Sequence, residues 1–374
     1  LFFHLILTDD CNLCCTYCRG KIFSPGVEWR GTCGEVDLDL PPDLSLDLED
    51  LARFLAGDPV PTLTFYGGEP LLRPDLIMSV MDRVPWARYM IQTNGLLLSR
   101  IPGPYLRRFD TILVSLDGPP ALTDRHRGRG THARVLENLQ TIRERHQYSG
   151  ELIARMTICE DTEIYEAVMY LATNPGFPFA SIHWQLDADF SGDVTARDFR
   201  SWIEGRYNPG IRRLVAEWVK AMAGEGMVRR WYPFIDPMED LLAGRESSLR
   251  CGSGYANYTI MTDGSIGPCP VMVGMKDYYV GHISTAHPLR LKTVHIPGEC
   301  NGCEIRGFCG GRCLYSHIVR PWPPEWRALV CGSVRNLDEA LAAALPEVRR
   351  LIAEGCIRDA DFAHTRYNGC EIIP

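Results

Sequence analysis

Cys11-Asn12-Leu13-Cys14-Cys15-Thr16-Tyr17-Cys18 follows directly on the apolar run Leu1 to Leu7. The run reads as a first strand, and the thiols occupy the loop that leaves it. A loop carrying Cys11, Cys15 and Cys18 can bind three irons of a cubane and leave the fourth open to something that is not protein. Thiolate-only sets of this kind suit iron–sulfur chemistry. Cys14 fits a competing CxxC spacing, and this stretch alone does not choose between the two.

Working outward, Arg19 to Asp47 is rich in Pro and Gly and reads as an excursion over the mouth of the fold. Cys33 within it reads as a surface thiol. From Asp47 the chain alternates between the two periodicities. Helix Leu48 to Leu55 leads to strand Thr62 to Tyr66, and helix Asp75 to Val84, entered at Pro74, leads to strand Tyr89 to Gln92. A short helix near Pro104 to Arg108 precedes strand Thr111 to Leu116. Helix Ala133 to Arg145 precedes strand Leu152 to Ile158, and helix Asp161 to Ala172 precedes strand Ser181 to Leu186. With the first strand these make six β/α units, an α/β pattern that predicts a parallel sheet covered by helices.

In such sheets function collects where strands end, and the unusual residues sit there. The second strand runs into Gly67-Gly68-Glu69-Pro70, which is either a plain turn or a place where a ligand approaches the backbone beside a fixed carboxylate. The third ends in Thr93-Asn94-Gly95 and the fourth in Ser115-Leu116-Asp117-Gly118. The fifth carries Arg155 inside an apolar run, where a guanidinium needs an anionic partner or a ligand carboxylate. After the sixth, Asp187 and Asp189 lie near the mouth; Asp187 is a candidate general base, set against the commoner role of a helix cap or solvated carboxylate. Ile203 to Met222 reads as one or two amphipathic helices, with Trp202 and Trp218 as packing residues.

The chain has 374 residues, enough for two domains or for one barrel with an appendage. Its net charge of −8 gives no reason to expect nucleic acid or an anionic membrane as partner, and no apolar stretch approaches the ~20 residues of a membrane span. No basic flank with a small-residue cleavage site opens the sequence. Fifteen cysteines in a large chain, bunched at 11–18 and 251–331, point to metal or cluster ligation rather than a secreted disulfide framework. A reducing, oxygen-poor cytoplasm is the expected compartment.

From Arg250 the texture changes to Cys, Gly, Pro and aromatics. Asp263-Gly264 between short β-prone runs predicts a hairpin. Cys251 and Cys269 are followed by Cys300-x2-Cys303-x5-Cys309-x3-Cys313 and by Cys331. Zinc ribbons are the bland reading of paired CxxC motifs. Helix Leu337 to Glu354 is well patterned. The tail beyond it reads as a lid or strap in which His364 is a surface residue.

Cys11-x3-Cys15-x2-Cys18, with Tyr17 before the last thiol, resembles the signature of radical S-adenosylmethionine (SAM) enzymes. Gly67 to Pro70 resembles their GGE motif. Ser115 to Gly118, with Asp124-Arg125-His126-Arg127-Gly128 and Gly130-Thr131, resembles their peptide-modifying members, in particular an archaeal group of maturases. The later cysteines resemble the SPASM extension of that superfamily. The resemblance implies a partial (β/α)6 TIM-like barrel over residues 1–225 and a SPASM domain over 226–335, of which 226–248 is a linker. A C-terminal helix and tail over 336–374 would follow.

It also implies three 4Fe–4S clusters. Cys11, Cys15 and Cys18 would hold the SAM-binding one. Cys300, Cys303, Cys309 and Cys331 would hold one auxiliary cluster, and Cys251, Cys269 and Cys313 the other, its fourth position open, filled by Gln, Asp or water, or taken by one of Cys33, Cys159, Cys356 and Cys370. Glu69 and the Gly67–Gly68 backbone would receive the amino group of SAM, and Arg155 or Ser115 its carboxylate. Asn94 and Asp117 would add polar contacts, and Tyr17 would lie against adenine. Pro270 stands where sulfatase-maturing members carry an Asp, which argues against their formylglycine chemistry. A peptide or protein is the substrate implied, with ferredoxin or flavodoxin as electron donor and a separate leader-binding protein as a further partner. The rivals are a radical SAM enzyme for a small molecule or cofactor precursor, and a non-catalytic metal-binding protein.

Overall fold

A computed structural model describes residues 1–18, 37–187, 197–296 and 298–369. Most of the predicted mouth excursion, and Cys33, Asp189 and Cys370, lie outside the described residues.

In chain order the first elements are β1 (Phe2–Thr8), α1 (Leu48–Leu55), β2 (Thr62–Gly67), α2 (Pro74–Arg83), β3 (Arg88–Thr93), α3 (Gly103–Leu106) and β4 (Phe109–Ser115). Then come α4 (Pro120–Arg127), α5 (Thr131–Glu144), β5 (Glu151–Ile158), α6 (Ile164–Thr173), β6 (Ser181–Leu186) and α7 (Phe199–Trp202). After these follow α8 (Asn208–Glu225), β7 (Arg230–Trp231), α9 (Tyr232–Ala243), β8 (Asn257–Ile260), β9 (Ser265–Gly267) and β10 (Gly281–His282). Three helices finish the chain: α10 (Arg306–Cys309), α11 (Leu314–Val319) and α12 (Pro324–Ala353).

Two compact units share these elements, and each draws on both early and late sequence. The first is Leu1–Leu116, Pro120–Ile153 and Gly252–His295; the second is Asp117–Pro119, Ala154–Cys251 and Ile296–Pro374. In the first, the strand order is β10-β9-β8-β1-β2-β3-β4. The strands from β8 through β1 to β4 run parallel, while β9 and β10 fold back antiparallel at the edge. A fully buried parallel strand reads as continuous apolar sequence. β1 illustrates it, with Phe3, Leu5, Ile6 and Leu7 all at the core. The predicted hairpin at Asp263-Gly264 forms, pairing Ile260 with Ile266, and its strand β8 adds to β1.

Local signals set the helix starts. Asp47 caps α1 by accepting from Glu49 N–H, Pro74 opens α2, and Pro324 lies at the first turn of α12. In the second unit β5, β6 and β7 are neighbours in that order. Helix α12 packs on α8 and α9 there, with Trp184, Trp218 and Phe234 at the core. Three late elements differ from expectation. Helix α12 begins at Pro324 rather than Leu337, because Trp326, Val330 and Val334 extend its apolar face by more than three turns. The presumed linker 226–248 contains α9, a helix despite Pro237. The third is His364, whose side chain is fully buried rather than at the surface: Nε2 lies 3.2 Å from Asp236 and Nδ1 3.3 Å from Glu239, so the carboxylates of α9 draw it in.

Candidate active site and cluster-ligand sets

In the first unit the loops leaving β1, β2 and β3 emerge at the same edge of a parallel sheet. Helix α4 adds a fourth side. The paired glycines after β2 have a definite purpose: Gly67 is left-handed (φ 137°), and a Cβ on Gly68 would lie 2.2 Å from the carbonyl oxygen of Asp10. What approaches that backbone is the chain's own thiol loop. Gly68 N–H donates to Thr8 O and Glu69 N–H to Asp10 O, both at 2.8 Å.

Glu69 is 1% exposed. One carboxylate oxygen accepts from Thr93 Oγ1 (2.7 Å) and Leu71 N–H (3.0 Å), and the other accepts from Asn94 N–H (2.7 Å). Burial pushes its pKa up, and these three donors partly offset that. Asn94 in turn donates through Nδ2 to Asn12 Oδ1 inside the thiol loop at 2.8 Å. The Glu69 carboxylate thus joins the β2 and β3 loops, and Glu69 N–H and Asn94 Nδ2 tie these to the thiol loop.

The far end of the thiol loop is held by α4. Thr16 N–H donates to His126 O at 3.0 Å, and Thr16 Oγ1 pairs with His126 Nδ1 at 2.6 Å. Tyr17 lies against the His126 ring, and the Arg127 guanidinium sits 5.3 Å over the Tyr17 ring. Asp124 fixes α4 to the start of α5 by accepting from Gly130 N–H (2.7 Å) and His132 N–H (2.9 Å). At its base the loop is tied by Arg73, whose Nη2 donates to Asp10 at 3.1 Å and whose Nε donates to Asp43 at 2.9 Å. The positioning roles of Thr93, His126, Arg127 and Arg73 were not singled out from sequence. Only the strand-end position of Thr93 and the Asp124–Gly128 motif signalled them.

Of the loop thiols, Cys11, Cys14 and Cys18 are exposed and Cys15 is partly covered. Burial raises the Cys11 thiol pKa; a hydrogen bond from Leu13 N–H opposes this, and the Glu69 and Cys18 charges reinforce it. A bound cation reverses such a balance, as expected for a metal thiolate. Ser115 ends β4 in the first unit.

Asp117 and Arg155 belong to the second unit. Asp117 is fully buried and accepts from Thr157 N–H at 3.1 Å. Arg155 donates to Gln185 Oε1 (3.1 Å) and to the carbonyl of Gly369 in the C-terminal tail (3.0 Å). Asp187 lies 3.5 Å from Arg197, which is held by Glu160 at 2.5 Å. Burial, then the charge of Asp187, pushes the nearby Cys159 thiol far up.

The second unit gathers four of the late thiols. The charges of Cys331 and Cys300 act on Cys309, and that of Cys303 acts on Cys331. Burial pushes Cys309 up to about 11. The turn Gly298–Cys300 and the loop after it supply Cys300 and Cys303, the end of the one-turn helix α10 supplies Cys309, and the flank of α12 supplies Cys331. Among the described residues no three His, Cys, Asp or Glu side chains converge where a single metal ion would sit. Cubane thiolates attach to separate irons and need no such convergence, so this absence does not bear on a four-thiol cluster. Of the other predicted trio, Cys251 and Cys313 lie in the second unit and Cys269 in the first. No helix among the described residues is long and apolar enough to cross a membrane.

Comparison with known proteins agrees with this geometry. The Radical SAM superfamily model matches residues 5–159. Over 144 residues the chain is 36% identical to GTP 3',8-cyclase of Streptomyces coelicolor, covering 37% of this chain and 39% of that protein. It is 23% identical over 294 residues to the cysteine-type anaerobic sulfatase-maturating enzyme of Clostridium novyi, covering 74% of each. The solved structure of native anSMEcpe with bound AdoMet shares the fold, with a TM-score of 0.70 and 18% identity over 94% of this chain and 100% of that one. Residues 5–159 form a radical SAM domain, the module of enzymes that act by radical chemistry.

Proposed function

We propose that the chain is a radical SAM enzyme that modifies a side chain of a peptide or protein. The observation that carries the reading is the convergence of three strand-end loops and α4 on Cys11–Cys18 through Glu69, Asn94 and His126. Such a network, which ties the loop at Asn12 and Thr16, supports a preorganised ligand set. Cys11, Cys15 and Cys18 are the ligands. Cys14, the remaining thiol of the loop, is not.

When bound, a reduced 4Fe–4S cluster and SAM supply one-electron cleavage of the sulfonium and a 5'-deoxyadenosyl radical able to take hydrogen from an unactivated C–H bond. The protein's share is placement. An ionised carboxylate offers about four acceptor sites, and Glu69 uses three on the loops, which leaves one for the amino group of SAM. Asn94 holds the cluster loop against the β3 end, and Tyr17 presents a ring fixed by Arg127 and His126 for adenine. Arg155 or Ser115 would receive the SAM carboxylate, and Asn94 and Asp117 would add polar contacts. Asp187 is the candidate base, its charge held by Arg197.

Cys300, Cys303, Cys309 and Cys331 would hold one auxiliary cluster, and Cys251, Cys269 and Cys313 a second with its last position completed by another group. A ferredoxin or flavodoxin would supply the electron. The peptide reading draws on the three-quarter-length similarity to a sulfatase-maturating enzyme, whereas the similarity to GTP 3',8-cyclase is confined to 37% of the chain.

The test is anaerobic incubation with SAM and reductant, reading 5'-deoxyadenosine, with candidate peptides encoded beside the gene and, in parallel, GTP. A rise with peptide and none with GTP is expected. A rise with GTP or another metabolite alone would overturn the substrate class while leaving the radical chemistry in place.

A further inference from the structure

The four-thiol site of the second unit has an unusual surround. The turn that delivers Cys309 and Cys313 is Gly310-Gly311-Arg312. Gly310 and Gly311 take left-handed φ of 63° and 87°, and so does Arg312 at 54°, a conformation a long side chain seldom adopts. The turn is compressed: a Cβ on Gly311 would lie 2.0 Å from Ile296 Cδ1, and one on Gly310 would lie 2.8 Å from Leu249 N. The Arg312 charge acts on Cys309, on Cys331 and on the buried Tyr207, and its guanidinium lies 5.5 Å from the Trp322 ring.

Arg312 forms no ion pair among the described residues, and its Nε is buried without a hydrogen-bond acceptor. A buried guanidinium nitrogen left so is costly. Arg335, which also acts on Cys331, is by contrast answered by Glu304 at 3.1 Å. On another side of the site, His317 Nε2 lies 3.6 Å from Cys300 Sγ, within hydrogen-bond range for sulfur. His317 stands on α11, one turn after Cys313.

We propose that Arg312 and His317 raise the reduction potential of the 4Fe–4S cluster held by Cys300, Cys303, Cys309 and Cys331. A cubane with four thiolates is an anion whose charge grows by one on reduction. A fixed cation and an N–H donor to sulfur favour the more negative state. Arg312 brings the charge that its own surroundings leave unanswered. Both are positioning residues and neither touches substrate.

The inference rests on the assignment of these four thiols to a cluster. Iron and sulfide analysis of the Cys300→Ala/Cys303→Ala variant tests that assignment separately, and no loss of iron there would remove it whatever Arg312 does. The inference itself is tested by EPR-monitored potentiometric titration of the anaerobically loaded full chain as wild type, Arg312→Gln, Arg312→Lys and His317→Phe. One auxiliary potential should fall in Arg312→Gln and in His317→Phe at unchanged iron content, and stay close to wild type in Arg312→Lys. Loss of iron from Arg312→Gln alone also counts for the proposal, since the charge is then needed to hold the cluster at all. An unchanged potential in Arg312→Gln with full iron overturns it. Loss of iron from both Arg312 variants overturns it too, because Arg312 is then a packing residue.

Discussion

Replacing Arg250 by Met should unlock the second unit from within. The Arg250 side chain is 2% exposed and lies between Asp236 and Asp240, 3% and 2% exposed, with Nη1 donating to them at 2.6 and 2.7 Å. Its Nε donates to the carbonyl of Phe308, the residue before Cys309, at 2.8 Å. Methionine fills most of the stem but leaves two buried carboxylates facing an apolar group. Breaking a buried pair from one side costs about 3–5 kcal/mol. Here Arg366, 2.6 Å from Asp240, and His364, 3.2 Å from Asp236, still offer compensation, so the lower end applies. The orphaned Phe308 carbonyl adds about 1 kcal/mol. The expected loss is therefore about 4 kcal/mol in urea unfolding of the metal-free chain. Tryptophan emission is a suitable probe, because Trp184, Trp218 and Trp231 are buried in that unit. Adding Asp236→Asn should return at least about 1 kcal/mol, as interacting residues are not additive. A loss below about 1 kcal/mol, or a double variant as costly as the sum of the singles, would refute the reasoning.

Four further outcomes follow from the same contacts. Cys15→Ala should abolish 5'-deoxyadenosine formation while Cys14→Ala retains it, and the reverse result would exchange the two thiols as ligands. Gly68→Ala should strip iron from the N-terminal site with little effect on the other thiols, since its Cβ would meet the Asp10 carbonyl; unchanged iron would show that the loop base yields freely. Glu69→Gln keeps the shape but turns an acceptor into a donor opposite an N–H. It should cost about 1–3 kcal/mol and weaken SAM binding, both measurable on the anaerobic protein. Acid sensitivity tests Asp236. Burial pushes its carboxyl up, but His364 and Arg250 more than offset this and hold it below the ordinary value. Its contribution is then full above about pH 3.9 and lost as pH falls through the folded pKa. The acid limb of unfolding should move to higher pH in Arg250→Met, and an unmoved limb would contradict the pairing.

The sequence was most legible where one residue type has one physical use. Continuous apolar runs marked the parallel strands, and Pro74 and Asp47 marked helix starts within a residue or two. The motifs at the ends of β1, β2 and β3 lie together because parallel strands deliver their C-terminal loops to one edge. Gly67 and Gly68 were read as either a plain turn or room for a ligand, and the backbone that comes close there is the neighbouring loop's, because period and spacing do not say which backbone approaches. Arg155 was read as needing an anionic partner or a ligand carboxylate, and among its contacts are a glutamine and a tail carbonyl 214 positions away that no local pattern signals. The same long-range pairing hid the buried set around Arg250, whose members are spread over α9 and the tail. No local pattern records such a match.

The claim on which the rest stands is that the Cys11–Cys18 loop presents three thiolates and leaves one iron for SAM. Mössbauer and EPR spectra of the N-terminal cluster, taken anaerobically before and after SAM is added, address it directly. The account predicts one iron that differs from the other three and a spectrum that changes on adding SAM. Four equivalent, cysteine-held irons with no response to SAM would contradict it.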